Sequence, residues 1–273
     1  MVNLIGVEIL DEKPLTLVDY CAWAEGALDS HFSSQQVVNL YNVNVKSIRT
    51  TIEEHEFFQT LVDASGQWCE EYMLENNCEL YTSDVIPELV SKPYDSAVNK
   101  SFRFNILWNS KFPDSPDGGW ITSKNLVSSF NDIIRGCLVC KYVDGPKYVI
   151  ERLEQHARSL NLDSRSYSQE RDDGYYAYHF YVKIPVTLFN IDFTDYESEI
   201  ELEIQVTTQL QEVLRSITHK FYEKERTSDS QDTSKWKWDF NSGKFKVGYL
   251  SHTLHLLESI ILESRNSVLK EEK

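Results

Sequence analysis

The chain has 273 residues and a formal net charge of -16 at pH 7, and 41% of its residues are hydrophobic and 12% aromatic. This composition is typical of a folded globular chain of one or two domains and excludes a disordered one. The acidic charge excludes a broad nucleic-acid surface, which needs clustered Lys and Arg, but it leaves room for a small basic nucleotide pocket.

The sequence also argues against membrane and disulfide-rich classes. No apolar run approaches the ~18 residues of a membrane span. Residues 1–13 contain acids where a signal peptide needs a basic start and an apolar centre. We therefore expect a cytoplasmic protein with no membrane partner. The five cysteines are odd in number and irregularly spaced, which predicts no disulfide framework.

Two residue pairs have a spacing that metal sites also use, Cys137 with Cys140 and His252 with His255. Residues three apart on a strand point to opposite faces, so the two cysteines are interpreted as buried thiols. The two histidines could share a helix face, but no third ligand is evident. They are interpreted as packing or surface residues.

Taken in chain order, the pattern predicts three regions. Apolar residues recur at helical spacing over residues 14–80, which predicts an N-terminal helical region over residues 1–80 with Gly66 as the expected break. Residues 81–226 are expected to form the core of the protein. Residues 227–273 are expected to contain a polar linker, an aromatic segment and a C-terminal helix over residues 248–266.

The main basic cluster of this acidic chain lies at the start of the core region. Lys92 precedes Pro93, which suits the first turn of a helix. Ser96 and Lys100 are four residues apart and therefore share a helix face, and Arg103 follows. Such a cluster is typical either of a solvated helix or of a phosphate site.

The next elements alternate between strands and helices. A short helix is expected over residues 123–130, a buried strand over 133–143, a helix over 147–160 and a polar loop over 161–173. Asp132 lies at the entry of the buried strand. An acid at this position is either a turn residue or a cation ligand at the edge of the sheet.

Residues 174–184 alternate in the manner of a strand. The face with Tyr176, Phe180 and Val182 is expected to be core. The other face carries Tyr175 and His179 beside an entry glycine, an arrangement that would suit base stacking.

A second alternating strand carries three acids on one face, Glu199, Glu201 and Glu203, followed by Gln205. Successive side chains on such a face are ~7 Å apart, so the carboxylates repel one another unless solvent or a cation separates them. The stretch is interpreted either as a wet sheet face or as a metal-dependent site. A helix is expected over residues 207–225, with Thr207 or Thr208 as its N-cap.

The order of these elements predicts an α+β fold, with a small mixed sheet flanked by helices. Four blocks in this order resemble the RelA/SpoT-type synthetases, which are alarmone synthetases with a nucleotidyltransferase-like fold. The resemblance covers about residues 85–225. It is carried by Lys92-Pro93 with Ser96 and Lys100, by Asn131-Asp132-Ile133, by Arg171 with Gly174-Tyr175 and His179, and by Glu203-Ile204-Gln205-Val206.

The resemblance implies an ATP-dependent enzyme that transfers a diphosphate to the ribose 3′-hydroxyl of GDP or GTP, making (p)ppGpp. Mg²⁺ would be the cofactor, with Asp132 and Glu203 as its ligands, and Glu203 would also accept the hydroxyl proton. The implied ATP-binding residues are Lys92, Ser96, Lys100, Arg103 and Arg135. The implied acceptor-binding residues are Arg171, Tyr175, His179 and Gln205.

Several arginines of the family pattern are replaced in this chain. Cys137 stands where the family has an adenine-stacking arginine, and Arg135 is the expected substitute. Tyr176 and Thr207 stand at two further arginine positions on the acceptor side. These departures leave two alternatives open: a toxic synthetase that modifies the tRNA 3′ end or an adenosine nucleotide, or an inactive nucleotide-binding domain. A second copy of the chain or a neutralising antitoxin is a possible protein partner.

Overall fold

The computed structural model describes residues 13–82, 86–170, 174–192, 194–216 and 236–271. Its backbone divides into two compact units. Unit 1 consists of Met1–His55, Leu89–Arg135 and Lys183–Leu202, and unit 2 consists of Glu56–Glu88, Gly136–Val182 and Glu203–Lys273. The division into regions 1–80, 81–226 and 227–273 stays a prediction, and the expected linker lies outside the described residues.

The predicted N-terminal helical region is present. It consists of α1 (Leu17–Leu28), α2 (Gln35–Glu54) and α3 (Glu56–Asn76). The expected break at Gly66 is wrong, because Gly66 lies inside α3. The chain instead breaks at His55, whose extended backbone (ψ 142°) ends α2.

A five-stranded sheet runs through the chain in the order β1-β2-β5-β4-β3. Its strands are β1 (Val90–Ser91), β2 (Ile134–Cys140), β3 (Ser164–Glu170), β4 (Tyr176–Phe189) and β5 (Asp195–Thr208). Within unit 1, β1 pairs antiparallel with the start of β2. Within unit 2, β3 pairs antiparallel with the first half of β4. The prediction of an α+β fold with a small mixed sheet is confirmed.

The strand β3 corrects the expectation of a polar loop over residues 161–173. Its side chains alternate between partly buried and exposed, and none is apolar except the ring of Tyr167. The strand β3 stands last in the sheet order and consists of polar residues apart from Tyr167, so it has no hydrophobic alternation. This explains why the hydrophobic pattern did not reveal it.

The remaining helices position the residues of interest. They are α4 (Tyr94–Phe102), which continues as a π-helix over Arg103–Leu107, α5 (Gly145–Ser159), α6 (residues 209–216) and α7 (Gly243–Glu271). Thr208 accepts a hydrogen bond from the Gln211 amide at 3.4 Å, so the predicted N-cap of α6 is confirmed. The expected helix over residues 123–130 is wrong, since residues 123–129 form turns.

Each unit has its own packed interior. In unit 1, α1 and α2 pack on α4 and bury Tyr20, Ile48 and Ile52. In unit 2, α3 packs on α5, α5 packs on β3, and Phe57 and Phe180 are fully buried. All five cysteines lie in the described part of the chain, and none of them forms a disulfide. In the part of the chain that the structure covers, no helix is both long and apolar enough to span a bilayer.

Two glycines give a paired test of this packing. An ideal Cβ on Gly136 in β2 would lie 2.5 Å from Pro87 Cβ, whereas a Cβ on Gly66 in α3 would meet nothing within 4 Å. We expect Gly136→Ala to destabilise the protein by ~1–3 kcal/mol through overpacking. Gly66→Ala should stabilise it by ~0.5–1 kcal/mol, since alanine is the better helix former. Urea unfolding measures both, and equal effects of the two substitutions would contradict the packing around Gly136.

Candidate functional site

Unit 1 contains a partly buried cluster of two lysines around one carboxylate. Lys92 Nζ lies 2.7 Å from Asp132 Oδ2, and Lys100 Nζ lies 2.8 Å from Asp132 Oδ1. The three side chains are only 12%, 16% and 18% exposed. The structure therefore brings together three of the residues predicted to handle ATP and a metal ion.

The local structure explains how these residues meet. The antiparallel pairs Val90↔Arg135 and Ser91↔Ile134 continue with a hydrogen bond from the Lys92 amide to the Ile133 carbonyl at 2.8 Å. This pairing places Lys92 beside Asp132, the residue before Ile133. Lys100 reaches the same carboxylate from the last turn of α4. The carbonyl of Lys92 accepts a further hydrogen bond from Tyr41 at 2.9 Å, which fixes the backbone at this point.

Burial and charge act against each other in this cluster. Burial alone would raise the pKa of Asp132, but the two lysines outweigh it, so the pKa lies below its ordinary value of 3.8. Burial lowers the pKa of Lys92, and the attraction of Asp132 opposes this only in part. Two cations share one anion, so the cluster keeps a net positive charge that suits a phosphate group.

The other predicted ATP-binding residues lie around this cluster. Arg135 is half-buried at the start of β2, and its charge contributes to the lowered pKa of Lys92. Ser96 is exposed on α4 and forms no hydrogen bond to the described part of the chain. Arg103 lies over the Trp108 ring, with its guanidinium carbon 5.3 Å from the ring centroid. The ion pairs of Asp132 recorded in the described part of the chain are with Lys92 and Lys100.

Unit 2 contains a second cluster, centred on the buried carboxylate of Glu203. One oxygen, Oε1, accepts hydrogen bonds from His179 Nδ1 at 2.7 Å, from Tyr181 at 3.0 Å and from Gln205 at 3.2 Å. Among the residues that the structure describes, none donates to the other oxygen, Oε2. These three donors therefore hold the carboxylate by Oε1 in a fixed orientation.

The hydrogen bonds also set the charge of Glu203. Burial raises the pKa of this carboxyl, but the hydrogen bonds, with that of His179 the strongest, bring the net pKa below 4.5. Glu203 is thus ionised at neutral pH despite an exposure of 4%. Along β5 the three acids differ: Glu199 is exposed, Glu201 is half-buried and Glu203 is buried. Only Glu203 is removed from bulk water.

Tyr175 is coupled to this carboxylate through His179. Because a carboxylate only accepts, His179 Nδ1 carries the proton, and in the neutral ring Nε2 then accepts from the Tyr175 hydroxyl at 3.3 Å. Tyr175 also lines a narrow cleft together with Gln205 and Arg215. The structure therefore unites Tyr175, His179, Glu203 and Gln205, whereas Arg171 lies outside the described residues.

Three residues of this cluster, Arg165, Tyr167 and Tyr181, are not predicted as site residues from the sequence. Register pairs Arg165 with Tyr181 and Tyr167 with His179. The Tyr167 ring stacks on His179, with centroids 5.3 Å apart, and the Arg165 guanidinium lies 4.1 Å from the Tyr181 ring. The alternation of Arg165, Tyr167 and Gln169 along the chain is a signal for this strand. Because these residues are polar, the same stretch also fits a loop.

The predicted magnesium ligands show no preformed metal cage. Within the described ranges, no group of three or more His, Cys, Asp or Glu side chains is arranged to hold a metal ion. Mg²⁺ is commonly bound through one or two carboxylates plus substrate phosphates, so carboxylates such as Asp132 and Glu203 suit it chemically. That these two residues share one ion stays a prediction.

The ion pairs of Asp132 make a testable contribution to stability. We expect Asp132→Asn to destabilise the protein at pH 7 by ~1–3 kcal/mol, because it leaves two partly buried lysines unpaired. The folded-state pKa of Asp132 lies below 3.8, so its stabilising effect is complete above this value and is lost as pH falls through the folded pKa. Urea unfolding of both proteins between pH 7 and pH 3 measures this difference. If the difference in unfolding free energy between wild type and Asp132→Asn grows as the pH falls, the ion pairs of Asp132 are contradicted.

The sequence was also compared with known proteins. No family model matches it. GTP pyrophosphokinase YwaC of Bacillus subtilis (strain 168) is 26% identical over 135 residues, which span 49% of this chain and 55% of that protein. The chain therefore matches about half the length of this relative.

Solved structures are similar to this chain over most of its length. The small alarmone synthetase 1 of Bacillus subtilis bound to its product pppGpp has a TM-score of 0.51 and 16% identity, over 82% of this chain and 98% of that one. The same protein bound to AMPCPP gives a TM-score of 0.49 and 17% identity, over 84% and 98% of the two chains. The resemblance predicted from the four sequence blocks is thus confirmed: the chain is similar in sequence to a GTP pyrophosphokinase and has the fold of a small alarmone synthetase of the RelA/SpoT type.

Proposed function

We propose that this protein is a diphosphotransferase that transfers the β,γ-diphosphate of ATP to the ribose 3′-hydroxyl of GDP or GTP. The observation that carries the proposal is the buried, ionised carboxylate of Glu203, which three donors hold by Oε1, while no donor among the described residues reaches Oε2. Such a group is suited to accept one proton from a bound hydroxyl. The sequence similarity to a GTP pyrophosphokinase supports the same reaction.

In the proposed step, the β-phosphorus of ATP exchanges one oxygen substituent for another. The acceptor 3′-oxygen forms a bond to the β-phosphorus of ATP, the bond from that phosphorus to the oxygen bridging it to the α-phosphorus breaks, and AMP leaves. The hydroxyl proton passes to Glu203 Oε2. His179 and Tyr181 keep the carboxylate from rotating, and they stabilise its charged form before the reaction. The reaction depends mainly on positioning and charge neutralisation, as is general for phosphoryl transfer.

The lysine cluster of unit 1 is assigned to the triphosphate. Lys92 and Lys100 carry two positive charges against the single negative charge of Asp132. Phosphate oxygens would accept hydrogen bonds from the same ammonium groups, with Arg103 and Arg135 adding charge. Mg²⁺, when bound at Asp132 and Glu203, would neutralise phosphate oxygens as a Lewis acid. If Lys92 and Lys100 bind phosphate instead of Asp132, the Asp132 carboxylate becomes available as a ligand for Mg²⁺.

The acceptor nucleotide is assigned to the Tyr175 cluster. The Tyr175 ring would stack on the base, since aromatic stacking on a nucleobase is worth ~1–3 kcal/mol. Gln205 and His179 are available for polar contacts, and Arg171 keeps its predicted role. Two arginines would offset the absence of family arginines at Tyr176 and Thr207. Arg165 lies over Tyr181, and Arg215, which is ion-paired with Glu212, lines the cleft beside Tyr175.

Two further expectations follow from this assignment. ATP and guanosine nucleotides are cytoplasmic metabolites, so the proposed reaction places the protein in the cytoplasm. The predicted protein partner, either a second copy of the chain or an antitoxin, stays a prediction. The alternatives of tRNA or an adenosine nucleotide as acceptor enter the test below as separate reactions.

The reaction is tested by incubating the purified protein with γ-labelled ATP and magnesium, and separately with GDP, GTP, unlabelled ATP or tRNA. We expect label on GDP or GTP. Glu203→Gln should lower the rate by ~10²–10⁴-fold, because the amide cannot accept the proton. Label on tRNA or on an adenosine nucleotide alone would overturn the guanosine assignment.

Glu199→Gln is the matched control on the same strand face. It removes one negative charge from an exposed side chain, so its rate should stay within about twofold of wild type. No transfer to any acceptor, with wild type equal to Glu203→Gln, would overturn the enzyme assignment. Equal losses in both variants would mean that general charge, rather than the oriented carboxylate, matters.

A further inference from the structure

Helix α7 buries a polar face in unit 2. The buried residues of this helix include Ser251 and Glu258, which are 1% and 5% exposed, whereas Leu250, Leu257 and Ile261 are 44–47% exposed. A helix that docks by the hydrophobic effect would bury the leucine stripe instead. The docking of α7 within unit 2 therefore depends on specific polar contacts.

The first contact is with Gly174, the residue before Tyr175. Gly174 has φ +92°, and a Cβ added to it would lie 2.6 Å from Ser251 Cβ and 2.8 Å from the Gly248 carbonyl oxygen. Ser251 Oγ lies within hydrogen-bonding distance of the Gly174 carbonyl and, at 2.9 Å, of Gln211 Oε1. The Ser251 hydroxyl has one proton, so it donates a hydrogen bond to only one of these two acceptors at a time. The close approach fixes the backbone that enters β4.

The second contact is with Tyr176, the residue after Tyr175. Its hydroxyl lies 2.6 Å from His252 Nδ1, and its ring stacks on His255 with centroids 4.0 Å apart and an interplanar angle of 13°. Tyr176 stands where the family pattern has an arginine. In this chain the side chain at that position binds α7, so both neighbours of Tyr175 are held by the same helix.

A third set of contacts connects α7 to the end of β5. Glu258 accepts a hydrogen bond from Thr208, and His255 Nδ1 lies 3.3 Å from its other oxygen. Thr207 donates to the carbonyl of Tyr176 at 3.1 Å, which joins β5 to β4 at the same level. Thr207, Thr208, Ser251 and Glu258 are buried and hydrogen-bonded, whereas the His255 side chain is 41% exposed. A polar network whose buried members are all hydrogen-bonded is rigid and specific. It links the strand that carries Glu203 and Gln205 to the backbone around Tyr175.

We propose that α7 is a positioning element of the acceptor site, in which Ser251, His252 and His255 hold the residues on both sides of Tyr175 so that its ring is fixed for stacking on the nucleotide base. The proposal rests on the proposed function, because it assigns the acceptor to Tyr175. None of the three side chains touches the reacting atoms in this account. Their effect on the reaction passes through the orientation of Tyr175.

The test measures initial rates of the full chain against both substrates, and amide hydrogen exchange of residues 174–179. Ser251→Ala keeps the Cβ and removes only the hydroxyl, and His255→Ala removes the ring that stacks on Tyr176. Each should raise the acceptor KM by about three- to tenfold, as expected for one lost contact. The KM for ATP should stay unchanged, and exchange at residues 174–179 should become faster.

Two variants serve as controls. His255→Phe keeps a ring against Tyr176, so its acceptor KM should lie close to the wild-type value. Leu256→Ala lies on the outer side of the same helix, where the side chain is 62% exposed, and should leave both KM values and the exchange rates at wild-type levels. A merely structural role of α7 would instead change both KM values and the exchange of unit 2 together.

The outcomes separate this proposal from the proposed function. An active wild type whose Ser251→Ala and His255→Ala variants keep wild-type acceptor KM and exchange rates would overturn the positioning role. An inactive wild type would overturn the proposed function and, with it, the link to an acceptor. Hydrogen exchange then decides independently whether α7 holds the backbone around Tyr175, since it needs no turnover.

Discussion

The hydrogen bonding of the Glu203 carboxylate is the constraint on which the organisation of unit 2 depends. A buried carboxylate without donors would be neutral or would destabilise the fold, because removing a charge from water is costly. His179, Tyr181 and Gln205 supply those donors to one oxygen. The register of β3 then stacks the Tyr167 ring on His179, so the donors themselves have fixed positions.

The lysine cluster of unit 1 also depends on compensating partly buried charge, but here the charges are positive and the compensating group is an anion. Lys92 and Lys100 are too buried to remain charged at low cost without an anion, and Asp132 provides one. The single carboxylate does not neutralise both lysines. A cluster with surplus positive charge and restricted access to water is a ready acceptor for a phosphate group, because most of the desolvation is already complete in the folded protein.

The chain differs from the family pattern where α7 binds. Tyr176 and Thr207 replace arginines, and both side chains take part in contacts among β4, β5 and α7. These contacts join β4, β5 and α7 next to Tyr175. The exposed leucines of α7 show that this docking follows hydrogen-bond geometry rather than hydrophobic burial.

The sequence by itself determined the α+β class, the helical region before the core, the alternating strands and the residue types of the site. These features follow from local periodicity and from ordered blocks such as Glu203-Ile204-Gln205-Val206, so no long-range information was needed. Asp132, Tyr175 and Glu203 were candidates on that basis. Their chemistry was suggested by residue type and order alone.

Only the tertiary structure decided which of the three acids on β5 is buried, and which donors surround it. Burial depends on what packs against a strand, and alternation assigns Glu199, Glu201 and Glu203 to the same face without distinguishing them. The sequence does not predict the edge strand β3 because its residues are polar, and apolar alternation is the signal by which a strand is found. Hydrophobic periodicity does not predict the polar docking of α7, because its buried contacts are hydrogen bonds between residues that lie 40–77 positions apart in the chain.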